Sequence, residues 1–256
     1  MYEGKFGFLS GNLLKIIACI FMTIDHVGYF LFPRLTFLRI LGRLSFPIFA
    51  FFIAEGCKYT KNRILHLILI VVMGVIFQFV TYFYAGITSL NIFFTLSVSV
   101  ILIYLLDYLK TSVFINKNVL KIIISSVLFA LSIFIVYVLN LRLNFDYGFY
   151  GCLAPVFVGL FDFRISFDDV KIKQNTVYRI ISSNFFRLIY LALALILIWQ
   201  FSVNSSIKQI QWYSLFSLIP LLLYNGKRGV YNRKYFFYLY YRIHILIIVL
   251  VSTYLV

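Results

Sequence analysis

Apolar runs close to 20 residues long recur along almost the whole chain. In α-helical form, at about 1.5 Å per residue, a run of that length matches the roughly 30 Å hydrocarbon core of a bilayer. Nine such runs are legible, at 13–33, 36–56, 64–86, 91–109, 119–140, 146–163, 183–203, 210–224 and 235–256. Several are short or abut their neighbours, so the range is about eight to ten. Of the 256 residues 63% are hydrophobic and 12% charged, where soluble domains carry about a quarter charged residues. No aqueous core of this size could hide so much apolar surface. The sequence therefore predicts an all-α polytopic integral membrane protein, a single domain over 1–256, in the cell membrane. The first run carries Asp25 and His26 and is followed by no small-x-small site, so it reads as a span and not as a removable signal peptide.

Basic residues set the orientation. With loops assigned alternately from a cytoplasmic N-terminus, 17 of the 23 Lys and Arg fall on the cytoplasmic side. Arg34, Arg142 and Lys208 fall outside, and Arg39, Arg43 and Arg242 lie within spans. That asymmetry predicts nine spans with the C-terminus outside. The net charge of +15 is thus expected to meet lipid headgroups, with no nucleic-acid partner. Cys19, Cys57 and Cys152 are scattered, show no CxxC spacing and read as small buried hydrophobes; no metal site is expected. The longest polar stretch, "DFRISFDDVKIKQNTVYRIISS" at 162–183, predicts a short interfacial helix on the cytoplasmic side.

An ionisable side chain at mid-membrane costs about 2.5–3.5 kcal/mol on insertion scales, so several at one depth mark a site. His26 lies seven residues before Pro33 and Arg43 seven after Thr36, each about 10 Å below the outer end. Arg39 is one turn above Arg43 on the same face. A tight connection joins the two spans, so Asp25, His26, Arg39 and Arg43 can meet inside one hairpin. A carboxylate that merely glues helices together is the bland reading. His26 argues against it, because beside guanidinium groups an imidazole is expected to stay neutral near pH 7, the state a general base or nucleophile requires. His26 and Asp25 are separated by about 100° around the helix, so Asp25 is expected to hold the arginines rather than orient the ring.

Asn91 and Thr95 open the fourth span, and Asp146 and Tyr147 the sixth, all on the outer, acceptor side; as helix caps Asn91 and Asp146 need no further role. Glu55 closes the second span at the cytoplasmic side, where Lys58, Lys61 and Arg63 are available to pair with it. "YNGKRG" at 224–229 offers flexible glycines and two cations, Lys227 and Arg228, suited to phosphate. His244, about 13 Å into the ninth span, is a second buried imidazole. His66, at a span edge, is expected at the interface.

The segments "LSGNLLKIIACIFMTIDHVGYFLFP", "LRILGRLSFPIFAFFIAEGCKYTKNR", "NIFFTL", "DYGFYG", "LYNGKRG" and "KYFFYLYYRIHIL" together resemble the TraX family, whose best-known member is implicated in N-terminal acetylation of conjugative pilin. That family is similar to the transmembrane acyltransferases, which carry a histidine in an early helix with a basic residue near it. The resemblance implies His26 as that histidine, Arg39 and Arg43 as candidate basic partners, and acetyl-CoA as a donor entering from the cytoplasm, with no permanently bound cofactor. Lys227, Arg228, Lys58, Glu55 and His244 are assigned to the CoA side. The acceptor is expected outside, as an amine or hydroxyl of a peptide or glycan. The expectation is a membrane acetyltransferase with His26 as general base or transient acetyl carrier. A proton-coupled transporter or flippase with Asp25 and His26 as a relay, and a non-catalytic subunit of a secretion or conjugation machine, are the alternatives. Oligomeric state is left open.

Overall fold

The computed structural model describes residues 7–86, 88–162, 176–202, 205–229 and 234–255, and among them every regular element is a helix. In chain order these are α1 (Gly11–Phe30), α2 (Thr36–Gly42), α3 (Ser45–Tyr59), α4 (Arg63–Ala85), α5 (Ile92–Thr111), α6 (Val119–Leu143) and α7 (Gly148–Val158). There follow α8 (Thr176–Ile181), α9 (Asn184–Gln200), α10 (Ser205–Gln211), a 3₁₀ stretch (Trp212–Ser217), α11 (Leu218–Leu222) and α12 (Lys234–Leu255). Among the described residues four stretches are long and apolar enough to cross a membrane: Gly11–Phe30, Thr36–Tyr59, Ile92–Asn116 and Val119–Leu143. Shorter apolar helices occupy Arg63–Phe79, Gly148–Val158, Asn184–Gln200 and Ile243–Thr253. Along α6, Val119, Leu120, Ile123, Val127, Leu131 and Phe134 are all exposed, and only Ser125 and Val136 are buried. A helix so apolar on its exposed faces has lipid as its solvent. The chain is a helical membrane protein.

Two expected runs are divided. The run 36–56 breaks into α2 and α3 at Arg43 and Leu44, and Pro47 supplies the cause. Proline has no N–H to donate to the carbonyl four residues earlier, here Arg43, and its ring crowds that carbonyl. The helix tightens instead, with Leu44 N–H donating to the Leu41 carbonyl at 3.2 Å. The run 210–224 becomes α10, the 3₁₀ stretch and α11, and helix begins at Ser205, within the connection expected at 204–209. The interfacial helix expected within 162–183 falls largely on 163–175, outside the described residues; Thr176–Ile181 is helical.

The chain divides into two compact units. The first comprises Met1–Phe52, Phe79–Ile87 and Leu195–Val256, and the second Ile53–Gln78 and Thr88–Ala194.

In the first unit, α1 starts against the "YNGKRG" loop. The first N–H groups of a helix lack intrahelical partners. Here Ser10 Oγ accepts from Leu13 N–H at 3.3 Å, while the Lys227 and Arg228 carbonyls accept from Gly11 and Asn12 N–H, each at 2.9 Å. Phe51, Phe52 and Tyr224 pack edge to face beside this cap, and Lys15 Nζ lies 5.0 Å from the Phe52 ring centre. At the other end α1 and α2 run antiparallel and very close, through one glycine on each helix. A Cβ on Gly28 would press on Leu38, and one on Gly42 would strike the Asp25 side chain. Ser45 Oγ then donates to the Ala18 carbonyl at 2.9 Å, tying the start of α3 to the middle of α1.

In the second unit, α5 packs on α7 through small residues that let two helices approach: Thr95, Ser99 and Cys152 are fully buried, and Ser99 Oγ donates to the Cys152 carbonyl at 2.7 Å.

The glycine contact is testable. Gly42→Ala should destabilise the protein by about 1–3 kcal/mol, the usual range for overpacking, read as a lower thermal midpoint in detergent. An unchanged midpoint would mean that α1 and α2 can part without loss.

Candidate active site

Asp25, on α1, faces the α2 side of the hairpin and is shared by two arginines. Arg43 Nη2 donates to Oδ1 at 2.9 Å and to Oδ2 at 3.0 Å, and Arg39 Nη1 lies 2.8 Å from Oδ2. Arg39 Nη1 also donates to the Asp25 backbone carbonyl at 3.1 Å, and its guanidinium stacks 5.0 Å from the Tyr29 ring centre. Arg43 is buried, and its Nε donates to the Arg39 carbonyl at 3.4 Å. The spacing that puts Arg39 and Arg43 one turn apart thus delivers both to one carboxylate. Two guanidinium groups against one carboxylate leave one net positive charge, the sign that stabilises an oxyanion.

His26 was expected beside the arginines, and Arg39 and Asp25 do lie within electrostatic reach of it. Its imidazole also meets His244 of α12, with His26 Nδ1 3.2 Å from His244 Nε2 and ring centres 5.2 Å apart. His244, assigned from sequence to the CoA side with Lys227 and Arg228, therefore belongs beside His26. The physical reason is the parallel pairing of α1 and α12. Thr23 meets Tyr240, hydroxyl to hydroxyl at 2.8 Å, and His26 meets His244 one turn further along both helices. Tyr240 and His244 also stack, ring centres 5.2 Å apart at 19°.

This arrangement dictates tautomers. His244 Nδ1 lies 2.9 Å from the Tyr240 carbonyl, which can only accept, so Nδ1 carries the proton. A neutral imidazole has one N–H, so His244 Nε2 is an acceptor. The group facing it, His26 Nδ1, must then be the donor. His26 Nε2 is left with the lone pair, the atom that can take a proton from an acceptor or attack a carbonyl. The Met22 carbonyl, one turn earlier on α1, bonds the His26 ring as well, so His244 and the backbone of α1 together set which nitrogen is basic.

The residues assigned to the acceptor side belong to the second unit and serve its packing. Asn91 caps α5, accepting from Phe93 N–H at 3.0 Å and donating through Nδ2 to the Gly74 carbonyl at 2.8 Å and to Gln78 Oε1 at 3.0 Å. Thr95 Oγ1 donates to the Asp146 carbonyl at 2.9 Å. Asp146 itself is exposed, and Tyr147 opens α7 in the left-handed region, φ +60°. Lys227 and Arg228 are exposed, with their carbonyls occupied in capping α1.

Glu55 keeps Lys58 of its own helix within electrostatic reach, and its closest cation comes from another helix. Its Oε2 is 2.7 Å from Arg187 Nη2 of α9, whose Nε is 2.9 Å from Asp162 Oδ2; Lys58 Nζ holds the other Asp162 oxygen at 3.0 Å. Lys110 links this group onward, donating to the Gly159 and Asp162 carbonyls and sitting 3.1 Å from Asp107, which also holds Arg63 at 2.7 Å. Three acids and four cations, most of them buried, interlock four helices. Sequence reasoning passed over Asp107, Lys110, Asp162 and Arg187. The signal was an acid inside "LIYLLDYLK" and another at the end of "GLFD", since charges in apolar helices need partners. His66 is engaged as well, its Nδ1 2.8 Å from the Tyr104 hydroxyl.

The fold and this cluster define a class: a polytopic helical membrane protein with a tautomer-fixed histidine pair beside a carboxylate-bridged arginine pair. The chain belongs to the TraX family, since the family model described as TraX protein matches residues 10–252. It is similar to the uncharacterized protein RP591 of Rickettsia prowazekii (strain Madrid E), 37% identical over 106 residues, which is 41% of each chain. The chain thus matches about two-fifths of that relative's length. No solved structure matches.

Removing the shared carboxylate should be severe. Asp25→Asn leaves two guanidinium groups without their counter-ion and should destabilise the protein by about 3–5 kcal/mol, whereas the double change with Arg43→Met should recover part of the loss. Thermal unfolding of the single and double variants in detergent measures the coupling; additive losses would mean that Asp25 and Arg43 act independently.

Proposed function

We propose that this chain is a membrane-embedded acetyltransferase that moves an acetyl group from cytoplasmic acetyl-CoA to an amine or hydroxyl at the outer face of the cell membrane. The observation that carries this reading is the His26–His244 contact, which puts a lone pair on His26 Nε2 in the same stretch of α1 as a doubly arginine-bound Asp25. The TraX family is linked to pilin acetylation, in keeping with a transferase. The proposed topology has nine spans with the N-terminus in the cytoplasm. The parallel course of α1 and α12 and the docking of 223–228 at the start of α1 support it, because they place those basic loops at one end of the first unit.

In the proposed reaction the acceptor nitrogen or oxygen attacks the thioester carbonyl carbon while His26 Nε2 takes its proton. The carbonyl π electrons move to oxygen, and the net positive Asp25–Arg39–Arg43 group stabilises the resulting oxyanion. Collapse of the oxyanion expels the CoA thiolate, which recovers the proton from His26. In the covalent variant Nε2 attacks first and the C–S bond breaks to release CoA thiolate; the acceptor then attacks the acetyl-imidazole, the C–N bond to Nε2 breaks, and the acceptor's proton passes by way of Nε2 to the thiolate. His244 acts through His26, as a positioning residue, by holding Nδ1–H. Lys227 and Arg228, exposed at the start of α1, are the proposed contacts for CoA phosphates. Glu55 and Lys58 are assigned to the ion network instead.

Purified protein in nanodiscs, supplied with acetyl-CoA and an amine-bearing peptide, should release CoA thiol and acetylated peptide. His26→Ala should reduce transfer to background with the thermal midpoint retained. His244→Phe, which removes the acceptor for Nδ1–H, should lower kcat by about 10²–10⁴-fold, the range for losing acid–base assistance, and His244→Gln should restore part of it. A folded His26→Ala protein with full activity would refute the assignment. Flux driven by a pH gradient without acetyl transfer would point to a transporter.

A further inference from the structure

The 3₁₀ stretch between α10 and α11 is built inside out. A 3₁₀ helix completes a turn every three residues, so Gln211, Ser214 and Ser217 stack along one face. These polar residues are 1%, 1% and 0% exposed, whereas Trp212 and Phe216 are 47% and 50% exposed. The aromatic side is turned to lipid and the polar side inward. Both α10 and the 3₁₀ stretch pack against α2, the helix that carries Arg39. Among the described residues Gln211 Nε2, Ser214 Oγ and Ser217 Oγ have no hydrogen-bond partner. Filling the interior there would be served better by alanine or leucine, because a buried polar group with nothing to bond is unfavourable. A helix that turns 3₁₀ in mid-course also often marks a hinge.

Spacing indicates what the face would bond. Successive residues of the stripe lie three positions apart at about 2.0 Å each, about 6 Å in all. Same-facing groups of an extended peptide repeat every two residues, about 6.6–6.8 Å. Serine hydroxyls donate and accept, and the glutamine amide donates, which together suit a backbone carbonyl and N–H edge. We propose that Gln211, Ser214 and Ser217 form a docking track for an extended peptide, entered by opening the seam between α2 and the 3₁₀ stretch, that leads the acceptor end toward Arg39 and Asp25. Binding by backbone would make the track tolerant of side-chain sequence. This rests on the acetyltransferase reading for the fate of the peptide, though not for its binding.

The test introduces cysteine singly at Ser214, Ser217 and lipid-facing Phe216 in a protein whose Cys19, Cys57 and Cys152 are replaced by alanine. Each is treated with a charged, membrane-impermeant methanethiosulfonate. Ser214→Cys and Ser217→Cys should react about tenfold faster than Phe216→Cys, because only a wetted thiol forms the reactive thiolate, and tetra-alanine amide with a free amino terminus should slow them severalfold. Rates no faster than at Phe216→Cys would overturn the opening seam. Protection by methyl glucoside and not by the peptide would overturn the peptide assignment. In parallel, Ser214→Ala with Ser217→Ala should keep or raise the thermal midpoint, and a clear drop would show that the hydroxyls are bonded within the chain and overturn the proposal. Labelling needs no acetyl-CoA, so a protein that labels and is protected yet transfers nothing would sink the enzyme reading alone.

Discussion

Everything in the first unit is arranged around one carboxylate that two guanidinium groups share. Asp25 can bind both arginines only because Arg39 and Arg43 are one turn apart on α2, and only because Gly42 lets the helices approach until its own Cα lies against the acid. Pro47 adds a further condition by ending the helical ladder at the Arg43 carbonyl, so that Arg43 stands at a break. A charged trio in a lipid-facing protein would be a heavy burden if any member were missing. Complete, it carries one surplus positive charge in a setting where that charge is little screened.

The membrane fold was readable because long apolar runs and charge asymmetry are consequences of one solvent, lipid. The hairpin trio was readable for a related reason: counting residues from a span's end gives depth, and a tight turn makes two spans neighbours. Depth alone does not say which distant helix lies beside α1. His26 and Arg43 share a depth, yet the imidazole met His244, because α12 runs parallel to α1 in a register that no local signal encodes. The polar pairs Thr23 with His26 and Tyr240 with His244, each one turn apart, were the available hint. Charge-based reading of "YNGKRG" likewise saw two cations and missed the backbone, whose carbonyls cap α1. Glu55 had three cations close in sequence and took Arg187 from another helix, since a buried acid is satisfied by geometry rather than by proximity along the chain.

The two units treat buried polarity in opposite ways. In the second, Asp107, Asp162 and Glu55 are matched by Arg63, Lys110, Lys58 and Arg187 through short ion pairs and carbonyl contacts, a closed network that fastens helices whose apolar surfaces gain nothing by meeting each other in lipid. In the first, beside the Asp25 trio, the imidazole pair and the stripe from Gln211 to Ser217 are neutral polar groups turned inward. Interlocked ions fasten the second unit, whereas much of the buried polarity of the first carries no charge.

His26 and His244 are 218 positions apart, one on the first helix and the other on the last described. During synthesis Asp25 can pair with its arginines as soon as α2 has followed α1 into the bilayer. The contact of His26 with His244 forms only when α12 arrives. A nascent chain therefore pairs its carboxylate early and brings its two imidazoles together last. The order in which the helices are made is thus the order in which the cluster closes.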